Sequence, residues 1–86
     1  MVVTAELSLY PLTTDYEGPI LAFIKALKKH DEIQVLTHSM STYVKGESKA
    51  VFNAVEVALS ETAETVSLVV KAINRDLPVE QGFLKF

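Results

Sequence analysis

The period at which apolar residues recur switches along this chain between that of a strand and that of a helix, and this succession restricts the fold more than any single motif. From Val2 to Tyr10 the residues alternate, with Val3, Ala5, Leu7 and Leu9 on one side and Thr4, Glu6, Ser8 and Tyr10 on the other. Alternation of this kind predicts a strand with one buried face. Pro11 cannot donate to a sheet ladder and closes it, and Thr13, Thr14 and Asp15 form a loop and a candidate cap. The spacing then becomes helical: Tyr16, Ile20, Phe23, Ile24 and Leu27 share one face. Two starts fit this helix. Thr14 with Glu17 makes a capping box, and Gly18 followed by Pro19 makes an N-cap and first helical position.

Ile33 to His38 and Ser41 to Glu47 are rich in β-branched residues and predict two strands joined through Ser39 and Met40. Ser-Met lacks the glycine or asparagine that a tight two-residue hairpin wants, which points to a bulge or a longer turn. Gly46 is read as the break of the third strand and Ser48 as the cap of a second helix, whose stripe is Phe52, Val55 and Leu59 and whose end falls around Thr62 to Glu64. The nearly continuous apolar run from Thr65 to Ile73 predicts a central strand covered on more than one face. Strand, helix, strand, strand, helix, strand is the split βαβ order of an α+β, ferredoxin-like βαββαβ fold: a four-stranded antiparallel sheet with two helices on one face. Residues 1–86 read as a single domain, and 75–86 as a C-terminal tail. Leu77, Val79, Phe83, Leu84 and Phe86 make that tail too apolar for a free end, so it is expected to pack on its own domain or on a neighbouring subunit.

Composition removes several classes of function. Hydrophobic residues at 49% and charged residues at 22% are the balance of a folded domain. A net charge of -3, with the basic residues scattered apart from Lys25, Lys28 and Lys29, gives no footprint for a phosphate backbone, so no nucleic acid is expected. The three lysines read as the solvated end of a helix. Without cysteine there is no disulfide scaffold and no thiolate nucleophile or ligand. Absence of a basic leader and of a long apolar run leads to the expectation of a cytoplasmic protein with no membrane contact.

Catalytic signatures are missing as well. His30 and His38 lie in different elements, with no triad order and no metal-ligand spacing, and Gly18, Gly46 and Gly82 are too dispersed for a phosphate-binding loop. His30 is expected at the surface at a helix end. What stands out is a cluster of hydroxyls, Thr37, Ser39, Ser41 and Thr42, around Met40 and between His38 and Tyr43. Such groups orient a small polar ligand more readily than they cleave bonds.

The run from Thr4 to Leu12, Thr-Ala-Glu-Leu-Ser-Leu-Tyr-Pro-Leu, and Met40-Ser41-Thr42 followed by Gly46-Glu47 resemble the thiamine-binding YkoF-like family. The resemblance covers nearly the whole chain. It implies a homo-oligomer, a homodimer or homotetramer of domains joined through their sheets, that binds thiamine or its hydroxymethylpyrimidine part without catalysis and without a cofactor. An aminopyrimidine needs acceptors for its amine, donors for its ring nitrogens and an apolar wall. The candidate residues are Glu6, Ser8, Tyr10, His38, Ser39, Met40, Ser41 and Thr42, with Glu6 facing the amine or the thiazolium, the hydroxyls completing the hydrogen bonds, and Met40 or Tyr10 flanking the ring. The competing reading is a structural or regulatory module that assembles through its open sheet face and its tail. An enzyme would need an acid or base with a perturbed pKa among Glu6, His38 and Glu47.

Overall fold

The computed structural model describes residues 1–38 and 41–78. The elements run β1 (Val2–Pro11), α1 (Glu17–Lys28), β2 (Ile33–Thr37), β3 (Thr42–Glu47), α2 (Ser48–Ser60) and β4 (Val66–Ile73). The strands form one four-stranded sheet in the order β2-β3-β1-β4, each pair antiparallel. This is the ferredoxin-like arrangement that the periodicity predicts. Alternation along β1 places Val3, Ala5 and Leu7 in the core with Val44 of β3. Above them lie Phe23, Ala26 and Leu27 of α1 and Val51, Ala54, Val55 and Ala58 of α2. Thr4, Glu6, Ser8 and Tyr10 turn to the opposite, open face.

Several local expectations are corrected. Neither of the two starts fits α1, which begins at Glu17; of the loop residues read as a candidate cap it is Asp15 that holds the first turn, its Oδ1 accepting from the Gly18 N–H at 3.2 Å. Ser48 is the first residue of α2 rather than its cap, its N–H donating to the Met1 carbonyl at 2.8 Å, and the helix ends at Ser60. The buried stripe of α2 is Val51, Ala54, Val55 and Ala58, and Phe52 is 46% exposed. Small residues win because they let this helix sit close to the sheet. Gly46 lies inside β3 and does not break it. A Cβ there would stand 3.1 Å from the Glu32 carbonyl, so glycine permits close approach of the chain entering β2. Tyr16 is exposed, whereas Phe23 and Leu27 are buried. His30 is largely covered rather than on the surface, with Nδ1 3.7 Å from Glu32.

The largest correction concerns β4. It pairs with β1 alone and forms an edge of the sheet, with Val69, Val70 and Ile73 exposed. A continuous apolar run marks a strand that is covered on both faces or one left uncovered within a single copy of the chain, and the sequence signal is the same for both.

After β4 the chain turns back over the open face. The Thr4 hydroxyl donates to the Arg75 carbonyl at 2.7 Å and accepts from the Leu77 N–H at 3.1 Å. The Lys45 ammonium donates to the Leu77 carbonyl at 2.7 Å and lies 2.9 Å from an Asp76 carboxylate oxygen. This strap explains why Thr4, on the open face, is only 3% exposed. The first part of the expected tail therefore packs on its own domain; Val79 to Phe86 lie outside the described residues.

Candidate functional site

Among the described residues the sheet is incomplete beside the second half of β1. Pairing of β1 with β3 ends at Leu7 opposite Thr42, while pairing with β4 continues to Pro11 opposite Val66. The ladder described for Ser8 to Pro11 thus has a neighbour on one side only. Across the gap stands the end of the β2–β3 hairpin, where the His38 N–H donates to the Ser41 carbonyl at 2.8 Å. Helix α1 roofs it.

A cavity of about 190 Å³ occupies this place. Leu7, Leu9, Ile20, Phe23 and Ile24 form its apolar wall, Thr37, His38, Ser41 and Thr42 line it from the hairpin, and Ser8 and Tyr10 line it along β1. An apolar enclosure with a few converging polar groups is the usual construction of a small-molecule pocket. Of the residues proposed from sequence, Ser8, Tyr10, His38, Ser41 and Thr42 line it together, while Ser39 and Met40 lie outside the described residues. A second cleft, between the start of α1 and the end of α2, is more open and is rimmed by Asp15, Glu61 and Glu64, with no comparable apolar wall.

Glu6 is not on the wall of the cavity. It lies on the open face, where one carboxylate oxygen accepts from the Ser41 hydroxyl at 3.2 Å and from the Tyr43 phenol at 3.1 Å, and the other is 3.9 Å from the Lys71 ammonium. Burial, together with the hydrogen bond to Glu6 and its charge, pushes the Tyr43 phenol above its ordinary value against a weaker opposing effect of Ser41, so Tyr43 remains a neutral donor near pH 7. The Tyr43 ring in turn meets His38 edge to face, with centroids 4.8 Å apart. Ser41 joins the two groups: it lines the cavity and is held by Glu6 behind it. Sequence reasoning placed Glu6 at the ligand and left out Tyr43 and Lys71 as its partners. The signal was the strand register, which sets Glu6 opposite both Tyr43 and Lys71 and cannot be read from either strand alone. Ile20, Phe23 and Ile24 were legible only as a core stripe, since nothing local announces that the sheet beneath them stops.

Among the described residues no group of three or more His, Cys, Asp or Glu is placed to hold a metal ion, and no helix is long and apolar enough to cross a membrane.

The sequence model of the YKOF-related family matches residues 2–76. The chain belongs to this family. Like other proteins with this architecture, the YKOF-related chain superimposes well on solved structures. One is a candidate thiamine biosynthesis/salvage protein of Thermotoga maritima, with a TM-score of 0.81 and 16% identity over 94% of this chain and 95% of that one. Another is a domain of unknown function from Bacillus cereus, with a TM-score of 0.74 and 20% identity over 94% and 86% of the two chains. A hypothetical protein of Methanocaldococcus jannascii shares 27% identity over 87% of this chain and 81% of its own, with a TM-score of 0.64. No curated protein sequence matches significantly.

Proposed function

We propose that this YKOF-related protein is a non-catalytic binding protein for thiamine or its hydroxymethylpyrimidine part, working as a homo-oligomer. The observation that carries this reading is the roofed gap in the sheet, where apolar residues of β1 and α1 and the hydroxyl-bearing residues Thr37, Ser41 and Thr42 line one cavity of about 190 Å³. Membership of the family, and the thiamine role named for the Thermotoga maritima neighbour, support the choice of ligand. The size supports the pyrimidine as the enclosed part. A cavity of about 150 Å³ suffices for benzene, whereas drug-sized ligands take about 300 Å³ or more. In this reading Glu6 and Tyr43 position Ser41 rather than touch the ring. A thermal-shift titration with thiamine, hydroxymethylpyrimidine and an unrelated cation tests it: at a ligand concentration about 100 times Kd, binding adds about 2.7 kcal/mol of stability. A saturable rise with the first two alone is the expected result, and no rise with any of them at millimolar concentration rejects the reading.

The exposed β4 edge favours self-association as part of this function, and assembly alone as the competing reading. The Leu12 N–H donates to the Thr65 carbonyl, so in this antiparallel pair β4 residues of odd number bond to β1, and Val66, Leu68, Val70 and Ala72 direct their peptide groups outward. An apolar strand edge with outward peptide groups is a template for pairing with a second copy. Proline at position 70 removes an outward N–H without touching the β1 ladder, while proline at 69 removes a ladder bond. Val70→Pro is therefore expected to yield a folded monomer by light scattering, and Val69→Pro to lose about 1–3 kcal/mol of stability. An unchanged oligomer in Val70→Pro excludes the β4 edge as the interface.

A further inference from the structure

Resting on the reading of the gap as a ligand site, we propose that the peptide groups of Leu9 are its recognition edge: the Leu9 N–H donates to a ring nitrogen and the Leu9 carbonyl accepts from an adjacent N–H of the ligand.

The strand geometry leads there in three steps. In an antiparallel sheet both peptide groups of a residue point to the same side, and successive residues point to opposite sides. The Leu12 N–H to Thr65 carbonyl bond sends even-numbered residues of β1 toward β4, and the Ser48 N–H to Met1 carbonyl bond sends odd-numbered residues toward β3. Leu9 is odd-numbered and lies beyond Leu7, the last residue paired with β3, so its N–H and carbonyl face the cavity that Leu9 lines. Pro11, the next odd-numbered residue, has no N–H to offer there, and for that reason proline is tolerated at the end of β1.

A peptide edge that lines a cavity needs partners, from water while the cavity is open and from the ligand once it closes off the water, because leaving its donor and acceptor dry costs as much as a lost hydrogen bond for each. In a ladder the partner strand supplies an acceptor and a donor side by side. A ligand that replaces the strand must do the same within one small plane. The cavity admits about one substituted six-membered ring, and its wall on the α1 side is apolar. The ligand class is therefore a planar heteroaromatic ring with a nitrogen acceptor next to an N–H donor. A 4-aminopyrimidine has this edge. The hydroxyls of Ser41 and Thr42 then remain for the ring substituents, with the main chain reading the ring itself. Recognition of this kind is insensitive to the side chain at position 9, provided it stays apolar.

The test replaces the Leu9 amide by an ester, using leucic acid in a semisynthetic chain, which deletes the N–H and keeps the side chain. The probe is hydroxymethylpyrimidine, compared with its analogue carrying hydrogen in place of the 4-amino group. The ester is expected to weaken the first ligand about tenfold or more, and the deaminated ligand to bind the unmodified protein about tenfold more weakly, with the melting temperature of the ligand-free ester close to that of the parent. In parallel, the Leu9 amide resonance of the unmodified protein is expected to move more than any other amide of β1 during titration, which keeps the test intact if the ester folds poorly. Equal affinity of ester and parent, or a Leu9 resonance that stays still while ligand binds, overturns the assignment and leaves the pocket standing. No binding of hydroxymethylpyrimidine to the unmodified protein overturns both.

Discussion

Truncation of Leu27 to alanine is expected to cost about 3–4 kcal/mol, a large share of the roughly 5–15 kcal/mol that holds an average domain together. Leu27 is fully buried at the point where α1 meets the sheet and α2, among Phe23, Val51 and Ala54. Its neighbours lie in three different elements and cannot collapse together into the space left behind. With a stability-to-temperature conversion of about 4–8 °C per kcal/mol, the melting temperature falls by about 12 °C or more. Urea denaturation of Leu27→Ala measures the loss directly. A cost below about 1 kcal/mol would mean that α1 is not seated on the sheet as described, and the roof of the cavity would go with it.

The second large effect belongs to the cavity. Ile24 is half-buried on the face of α1 that looks into the gap. Tryptophan at this position fills space that is now open, so Ile24→Trp avoids most of the 1–3 kcal/mol typical of overpacking a filled core. Ligand binding is expected to weaken about 100-fold or more, while the fold and oligomeric state persist. Calorimetric titration of Ile24→Trp with hydroxymethylpyrimidine checks this. Affinity equal to that of the parent would move the ligand out of the gap, with the Glu6 side of the sheet as the place to look next.

The order of elements was legible because each strand and helix has its own apolar period, and Val3, Ala5 and Leu7 entered the core as alternation required. Side-chain identity was less reliable than period. On α2 Val55 and Leu59 do pack on the core, but Phe52 is exposed and the alanines were passed over, because the sheet selects small residues such as Ala54 and Ala58 where backbones come close. The valines of β4 read as buried, since only tertiary pairing distinguishes an edge from a centre. Of the residues read from sequence as candidates, Ser8, Tyr10, His38, Ser41 and Thr42 come together around one cavity. Glu6 was legible as a polar residue of β1, yet its role as the acceptor for Ser41 and Tyr43 depended on register. The gap itself had no sequence signal except Pro11, whose missing N–H falls on the side where no strand is needed.

The strap from Arg75 to Leu77 bears on how the chain is made. It closes on Thr4, more than seventy positions earlier, and β1 also waits for β3 and β4 on its two edges. The strand that leads the element order is thus the one completed last. Contacts so distant in sequence carry a loop-closure cost before they return any stabilisation, which slows folding. Val3, Ala5 and Leu7 gain their cover from α1 and α2, but the second ladder of β1 and the strap on Thr4 wait for residues 66–77, so β1 is expected to be the last strand to lock in place.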